Sequence, residues 1–175
     1  MWQTEGATTP AVTDNLGSAY TQDCDFTYNQ GFGLRRLSVF HALNVPSGIT
    51  AVNITPNQPS RGIVAEYSGM PTSGSVLDVC GTVANQTTAT TSWSSGTAAT
   101  TSTDLVFGLA DTGSSLSAGY RAATGWTGRL EQADNVDYDD SYVEDQISAL
   151  SGNYKAAGTT SSSVTESSVV VAFTP

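Results

Sequence analysis

At 175 residues, with 16 acidic against 6 basic side chains and a formal charge of −10, the chain has the size of one domain spanning 1–175 and repels the phosphate backbone of nucleic acids. Only 13% of its residues are charged, Thr, Ser, Val and Gly dominate, and Lys, Glu and Leu are sparse, which excludes a helical bundle and fits short strands joined by tight turns. No apolar run approaches the roughly 20 residues of a membrane helix, and no C-x-x-C offers a zinc knuckle or a thioredoxin-type site.

Met1-Trp2 lacks a signal-peptide pattern and reads as the start of a mature or trimmed segment. After a polar opening, Val12-Thr13-Asp14-Asn15-Leu16-Gly17 signals a tight turn feeding a strand near Ala19–Tyr28. A second turn at Asn29–Gly33 leads into Leu34–Val45, with Leu37, Val39, His41 and Leu43 on one face. Ile49–Thr55 alternates again. Arg61–Met70 is period-two and apolar on both faces, so it is expected inside a sheet, with Glu66 needing a partner or a way out to water. Val76–Val83 is a short strand carrying Cys80. The Thr/Ser-rich stretch Asn85–Thr103 reads as a polar edge strand and an exposed loop, which suits every residue in it except Trp93. Asp104–Ala110 is apolar on both faces and is expected at the centre of a sheet. Gly119–Leu130 suggests a further strand. Ser141–Leu150 fits either a strand or a short helix by spacing, with strand preferred, and Thr165–Phe173 closes the chain with two apolar faces. Strand signals about every 10 to 15 residues, without alternating helices, predict an all-β fold: two antiparallel sheets packed as a jelly-roll-like β-sandwich.

Cys24 and Cys80 lie far apart. They suit one disulfide in a secreted sandwich, or two buried thiols in a cytosolic protein; the disulfide is preferred.

Several motifs together resemble a recurrent module of secreted and surface proteins of environmental bacteria. They are Val12-Thr13-Asp14-Asn15-Leu16-Gly17 with Tyr20, Glu66-Tyr67-Ser68-Gly69, and Asp104-Leu105-Val106-Phe107-Gly108. Glu144-Asp145 with Ser151-Gly152-Asn153-Tyr154, and Ala172-Phe173-Thr174-Pro175, complete the pattern. The likeness runs from Val12 to Pro175 and implies an extracellular jelly-roll-like sandwich with no transferable activity. The chain departs from the pattern before the D-N-L-G turn, where part of a first strand is missing. A neighbouring subunit supplying that strand would make a donor-strand assembly.

The candidate chemistry is sparse. The one histidine, His41, reads as a satisfied sheet residue rather than the base of a Ser-His-Asp triad, and no G-x-S-x-G elbow is present. Glu66 with Glu131 or Glu144 supplies the paired carboxylates of a glycosidase only without the E-x-D-x-x-E strand of concanavalin-like glucanases. No catalytic residue is therefore assigned. The run Asp134–Asp140 holds the best metal candidates, Asp137, Asp139 and Asp140, with calcium as the ion and a solvated turn as the competing reading. Trp93, Trp126, Tyr120, Tyr138 and Tyr142 are the candidate sugar-stacking rings, Trp93 foremost because its surroundings look exposed. Two functional readings follow: a non-catalytic extracellular module binding polysaccharide through exposed aromatics, or a structural subunit of a filament, surface layer or virion decoration whose partners are identical subunits. Asn53-Ile54-Thr55 and Asn85-Gln86-Thr87 matter only in a host that glycosylates its secreted proteins.

Overall fold

The computed structural model describes residues 2–5, 9–29, 33–55, 60–113, 117–134 and 139–175. In chain order its strands are β1 (Trp2–Glu5), β2 (Ala11–Asp14), β3 (Thr21–Asn29), β4 (Leu34–His41), β5 (Val52–Thr55), β6 (Ser60–Gly62) and β7 (Leu77–Cys80). They continue as β8 (Ala84–Ser94), β9 (Ala98–Thr100), β10 (Asp104–Thr112), β11 (Arg121–Ala122), β12 (Thr127–Asp134), β13 (Asp139–Ala149), β14 (Gly152–Tyr154) and β15 (Ala157–Phe173). Every pairing among the described residues is antiparallel. The fold is all-β, as composition and turn spacing lead one to expect. Among the described residues no helix is long and apolar enough to cross a membrane.

The seven-stranded sheet is built on β15, whose 17 residues run through it. The first half of β15 pairs with β8 and β11, and the second with β10 and β7. β10 lies between β15 and β13, and all nine of its residues are buried. That position explains its two apolar faces: a strand with a neighbour on each side and a layer on each face has no surface to offer water. Leu105, Phe107 and Leu109 face one core together with Val143, Val169, Val171 and Phe173, and Cys24, Leu37 and Val39 of the small sheet join them. Val106 and Ala110 face a second core with Trp93, Tyr120, Tyr142, Val164 and Val170. Gly108 sits where β10 passes under Ala156: a Cβ there would lie 2.4 Å from the Ala156 Cβ, so no larger residue fits without displacement.

The small sheet runs β3-β4-β1-β6. β1 pairs antiparallel with both β4 and β6. Cys24 on β3 and Cys80 on β7 are joined by a disulfide, their Cα atoms 6.0 Å apart, which ties the small sheet to the large one. The preference for strand over helix at Ser141–Leu150 holds, since that stretch lies almost wholly within β13.

Arg61–Met70 departs from expectation. Only Ser60–Gly62 is strand, and the chain from Ile63 to Met70 runs without ladder pairing. Ile63 is buried, Val64, Ala65 and Glu66 are exposed, and Tyr67 is half-buried. Alternation alone does not tell a paired strand from an extended connection draped over a core. Glu66 finds its way out to water and needs no partner.

Candidate functional site

A cleft of about 550 Å³ opens between the two-stranded β2–β5 sheet, the end of β4 and the Ile63–Met70 connection. Its floor is the shared core: Leu105, Phe107 and Phe173 reach it from the large sheet, Val76 from the stretch leading into β7, and Val39 from β4. The β2–β5 pair is held in place by the D-N-L-G turn. Asp14 accepts the backbone N–H of Leu16 (2.8 Å) and of Ser18 (3.2 Å) and the Tyr20 hydroxyl (3.1 Å). The Ser18 side chain contributes most to holding its carboxyl down to about 2, ahead of the backbone N–H groups of Ser18 and Leu16 and the Tyr20 hydroxyl. Gly17 closes the turn at φ 76°, a conformation that favours glycine. Asn15 then accepts the N–H groups of Thr50 (2.9 Å) and Ala51 (3.2 Å), locking the turn to the strand entering β5.

The opposite wall is fixed by Tyr67. Its ring meets Phe107 edge-on with centroids 6.4 Å apart, and its hydroxyl donates to Asp145 at 2.5 Å. Burial and the Asp145 carboxylate both push the Tyr67 phenol well up. Asp145 also takes a two-pronged hydrogen bond from Arg129, at 2.8 and 2.9 Å. The motif pieces Glu66-Tyr67-Ser68-Gly69 and Glu144-Asp145 thus meet in space, and their joint work is to hold the cleft wall.

His41 lines the cleft at the end of β4. Its Nδ1 lies 2.8 Å from both carboxylate oxygens of Asp23, whose side chain is 2% exposed. The register of β3 against β4 shifts between Gln22 and Cys24, so Asp23 is the residue left out of the ladder, and this turns its side chain toward His41. Burial raises the Asp23 carboxyl while the His41 hydrogen bond and charge oppose that rise. The Nδ1 edge of His41 is satisfied within the sheet by Asp23. Asp23 was not foreseen; the local signal was a hairpin with a lone histidine opposite an aspartate, but the register shift that joins them has no sequence signature.

The ring candidates fall elsewhere. Trp93 is 3% exposed, correcting the expectation of an exposed tryptophan. β8 is indeed an edge strand, but Trp93 folds inward over the large sheet, edge-on to Tyr120 (5.9 Å) and Tyr142 (6.0 Å). Tyr120 and Tyr142 stack on each other at 5.1 Å, and both are buried. Trp126 is half-buried and packs against the same cluster. These rings form a core rather than a strip, because the outer face of a wide sheet must be covered and the largest apolar groups do so. Tyr138 lies outside the described residues.

Of the candidate metal ligands, Asp139 and Asp140 do not converge. Asp139 and Asp140 are consecutive on β13 and point to opposite faces of the sheet. Asp139 is buried between Arg35 (2.6 Å) and Arg61 (2.8 Å) of the small sheet. Beside it Asp111 accepts the hydroxyls of Tyr28 (2.8 Å) and Ser141 (2.8 Å), forming a polar layer between the sheets. Asp140, on the other face, accepts the Ala118 N–H at 2.5 Å. Asp137 lies outside the described residues, and among the described residues no group of three His, Cys, Asp or Glu side chains is placed to hold a metal ion. Nor do the glycosidase candidates meet: Glu66 stands exposed at the cleft rim, whereas Glu144 is fully buried with the second core and accepts the Ala157 N–H at 3.1 Å.

That second face holds buried carboxyls with few partners. Glu166 takes a hydrogen bond from Ser168 (2.9 Å) on one oxygen and none on the other. Burial raises Glu144 and Glu166 to about 8 and Asp140 to about 7; between the sheets it raises Asp111 to about 6. Glu144 and Glu166 are thereby acids that the fold keeps mostly protonated at neutral pH, Asp140 is poised there, and Asp111 ionises just below it.

Compared with known proteins, the chain matches no family model, no curated protein sequence and no solved structure.

Proposed function

We propose that the chain is a non-catalytic binding module of an extracellular protein, a jelly-roll-like sandwich that takes a small, mainly apolar ligand into the cleft beside His41. The observation that carries this reading is the cleft itself. Its volume of about 550 Å³ lies in the range of small-molecule sites, and its walls are apolar with few polar groups. The disulfide and the low charge suit an extracellular setting. A sugar ring is a poor occupant, because each hydroxyl taken from water needs a partner. The hydroxyls of Tyr20 and Tyr67 at the wall are already engaged. With Trp93, Tyr120 and Tyr142 in the core, a polysaccharide strip loses its rings.

The test is titration with the apolar fluorophore N-phenyl-1-naphthylamine, for the native protein and for Ala65→Trp. Ala65 is an exposed lining residue, so a tryptophan there fills the mouth without entering the core. Saturable binding by the native protein that the variant loses supports the reading. No saturable binding overturns it.

The alternative, a structural subunit, draws support from one feature. β12 has no partner beyond β13 among the described residues, and it carries Leu130, 48% exposed, on the same sheet face as Ile147, 63% exposed. An open edge with exposed apolar side chains is a pairing surface. Light scattering over a wide concentration range decides: growth in particle mass favours assembly, and a constant monomer rules it out.

A further inference from the structure

Resting on the cleft as the binding site, we propose that its ligand is an aromatic molecule bearing a hydroxyl group, and that this hydroxyl donates a hydrogen bond to His41 Nε2. The argument begins with Asp23. An ionised carboxylate only accepts hydrogen bonds, so a ring nitrogen held 2.8 Å from both of its oxygens carries the hydrogen. We take the imidazole as neutral, in which form the proton sits on Nδ1 and Nε2 keeps a bare lone pair. Asp23 is not among the cleft residues, while His41 is. The Nδ1 edge therefore turns away into the sheet, and Nε2 is the ring nitrogen left to the cleft.

The surroundings select the rest of the ligand. Phe40, Phe107 and Phe173 line the space, and Phe173 meets the His41 ring edge-on at 6.3 Å. Flat apolar walls suit an aromatic skeleton, which stacks or packs edge-on against them. The tyrosine hydroxyls at the wall are committed to Asp14 and Asp145. The other polar side chains of the lining, Asn44, Glu66 and Thr72, are exposed, so Nε2 of the half-buried His41 is the acceptor that a single ligand donor matches. A ligand of the same shape without one strips water from Nε2 and returns nothing.

The experiment compares 2-naphthol with 2-methoxynaphthalene, which keeps the shape and the oxygen but has no hydrogen to donate. Fluorescence titration of the native protein near neutral pH should give at least about tenfold tighter binding of the naphthol, the ratio that about 1.4 kcal/mol from one buried hydrogen bond produces. His41→Phe should erase that ratio while still binding the methoxy compound. Equal affinities for the native protein overturn the hydroxyl assignment and leave the cleft standing. Binding of neither compound overturns the cleft reading and the assignment with it. The native-protein comparison needs no variant, so a His41→Phe protein that fails to fold does not blunt the test.

Discussion

Glu166 offers the sharpest test of how this fold treats its acids. The side chain is fully buried on β15, next to Ser168, which bonds one oxygen, and near Asp111 and Tyr120, neither of which is a cation. Burial lifts its pKa from 4.5 to about 8. The folded protein therefore binds this proton more tightly than the unfolded chain, and the sign follows directly. Stability is unaffected by this group at low pH, where both states are protonated, falls as pH rises above 4.5, and levels off beyond about 8. At about 1.4 kcal/mol per pH unit, and with the unfolded chain already partly ionised at pH 5, the loss between pH 5 and pH 8 comes to about 3 kcal/mol. Glu166→Gln keeps the shape and removes the titration. The amide brings a cost of its own, but that cost is independent of pH, so the informative quantity is the change in the gap between the two proteins. Urea unfolding at pH 5, 6, 7 and 8 should show the variant gaining on the native protein by about 3 kcal/mol over that range. A gap that stays constant within about 0.5 kcal/mol would mean that the buried carboxyl ionises normally, and the reasoning would be wrong.

Glu144, Asp140 and Asp111 act in the same direction, so the native protein should melt several degrees higher at pH 5.5 than at pH 8.5, which calorimetry reads directly. Reducing the disulfide opens a link 56 residues apart in sequence, and loop-closure entropy puts the loss at about 4 kcal/mol, measured as a drop in urea midpoint under dithiothreitol. Asp139→Ala removes the carboxylate shared by the buried Arg35 and Arg61 and should cost about 3–5 kcal/mol by urea unfolding. Gly108→Ala forces a Cβ against Ala156 in a packed core and should cost about 1–3 kcal/mol, a loss that Ala156→Gly added to it should partly restore.

Some of this was legible in the residues alone. Short apolar runs between turn signals pointed to an all-β chain, and the two apolar faces of Asp104–Ala110 pointed to a central strand, because side-chain alternation is local and burial on both faces leaves no polar positions. The Cys24–Cys80 pairing was open to inference for a similar reason: two cysteines, each at a strand, permit only one bridge. Strand over helix at Ser141–Leu150 was a closer matter, settled by pairing of β13 with β10 and β12, which local spacing does not contain.

What only the tertiary structure decided is where each face ends up. Arg61–Met70 has the alternation of an inner strand, yet from Ile63 onward it makes a cleft wall, since a ladder needs neighbours and alternation does not supply them. Trp93 sits in a stretch polar enough to look exposed, and the edge strand that carries it turns the ring under Tyr120 and Tyr142. Asp139 and Asp140 read as one acidic run, but the period of two sends one to the arginines of the small sheet and the other to the opposite core. Asp23 reaches His41 only because one residue is left out of the β3–β4 ladder. Sequence determines which residues alternate and therefore that sheets form. Register and packing, which join residues far apart in the chain, determine which of those residues meet, and the cleft with its histidine exists only at that level.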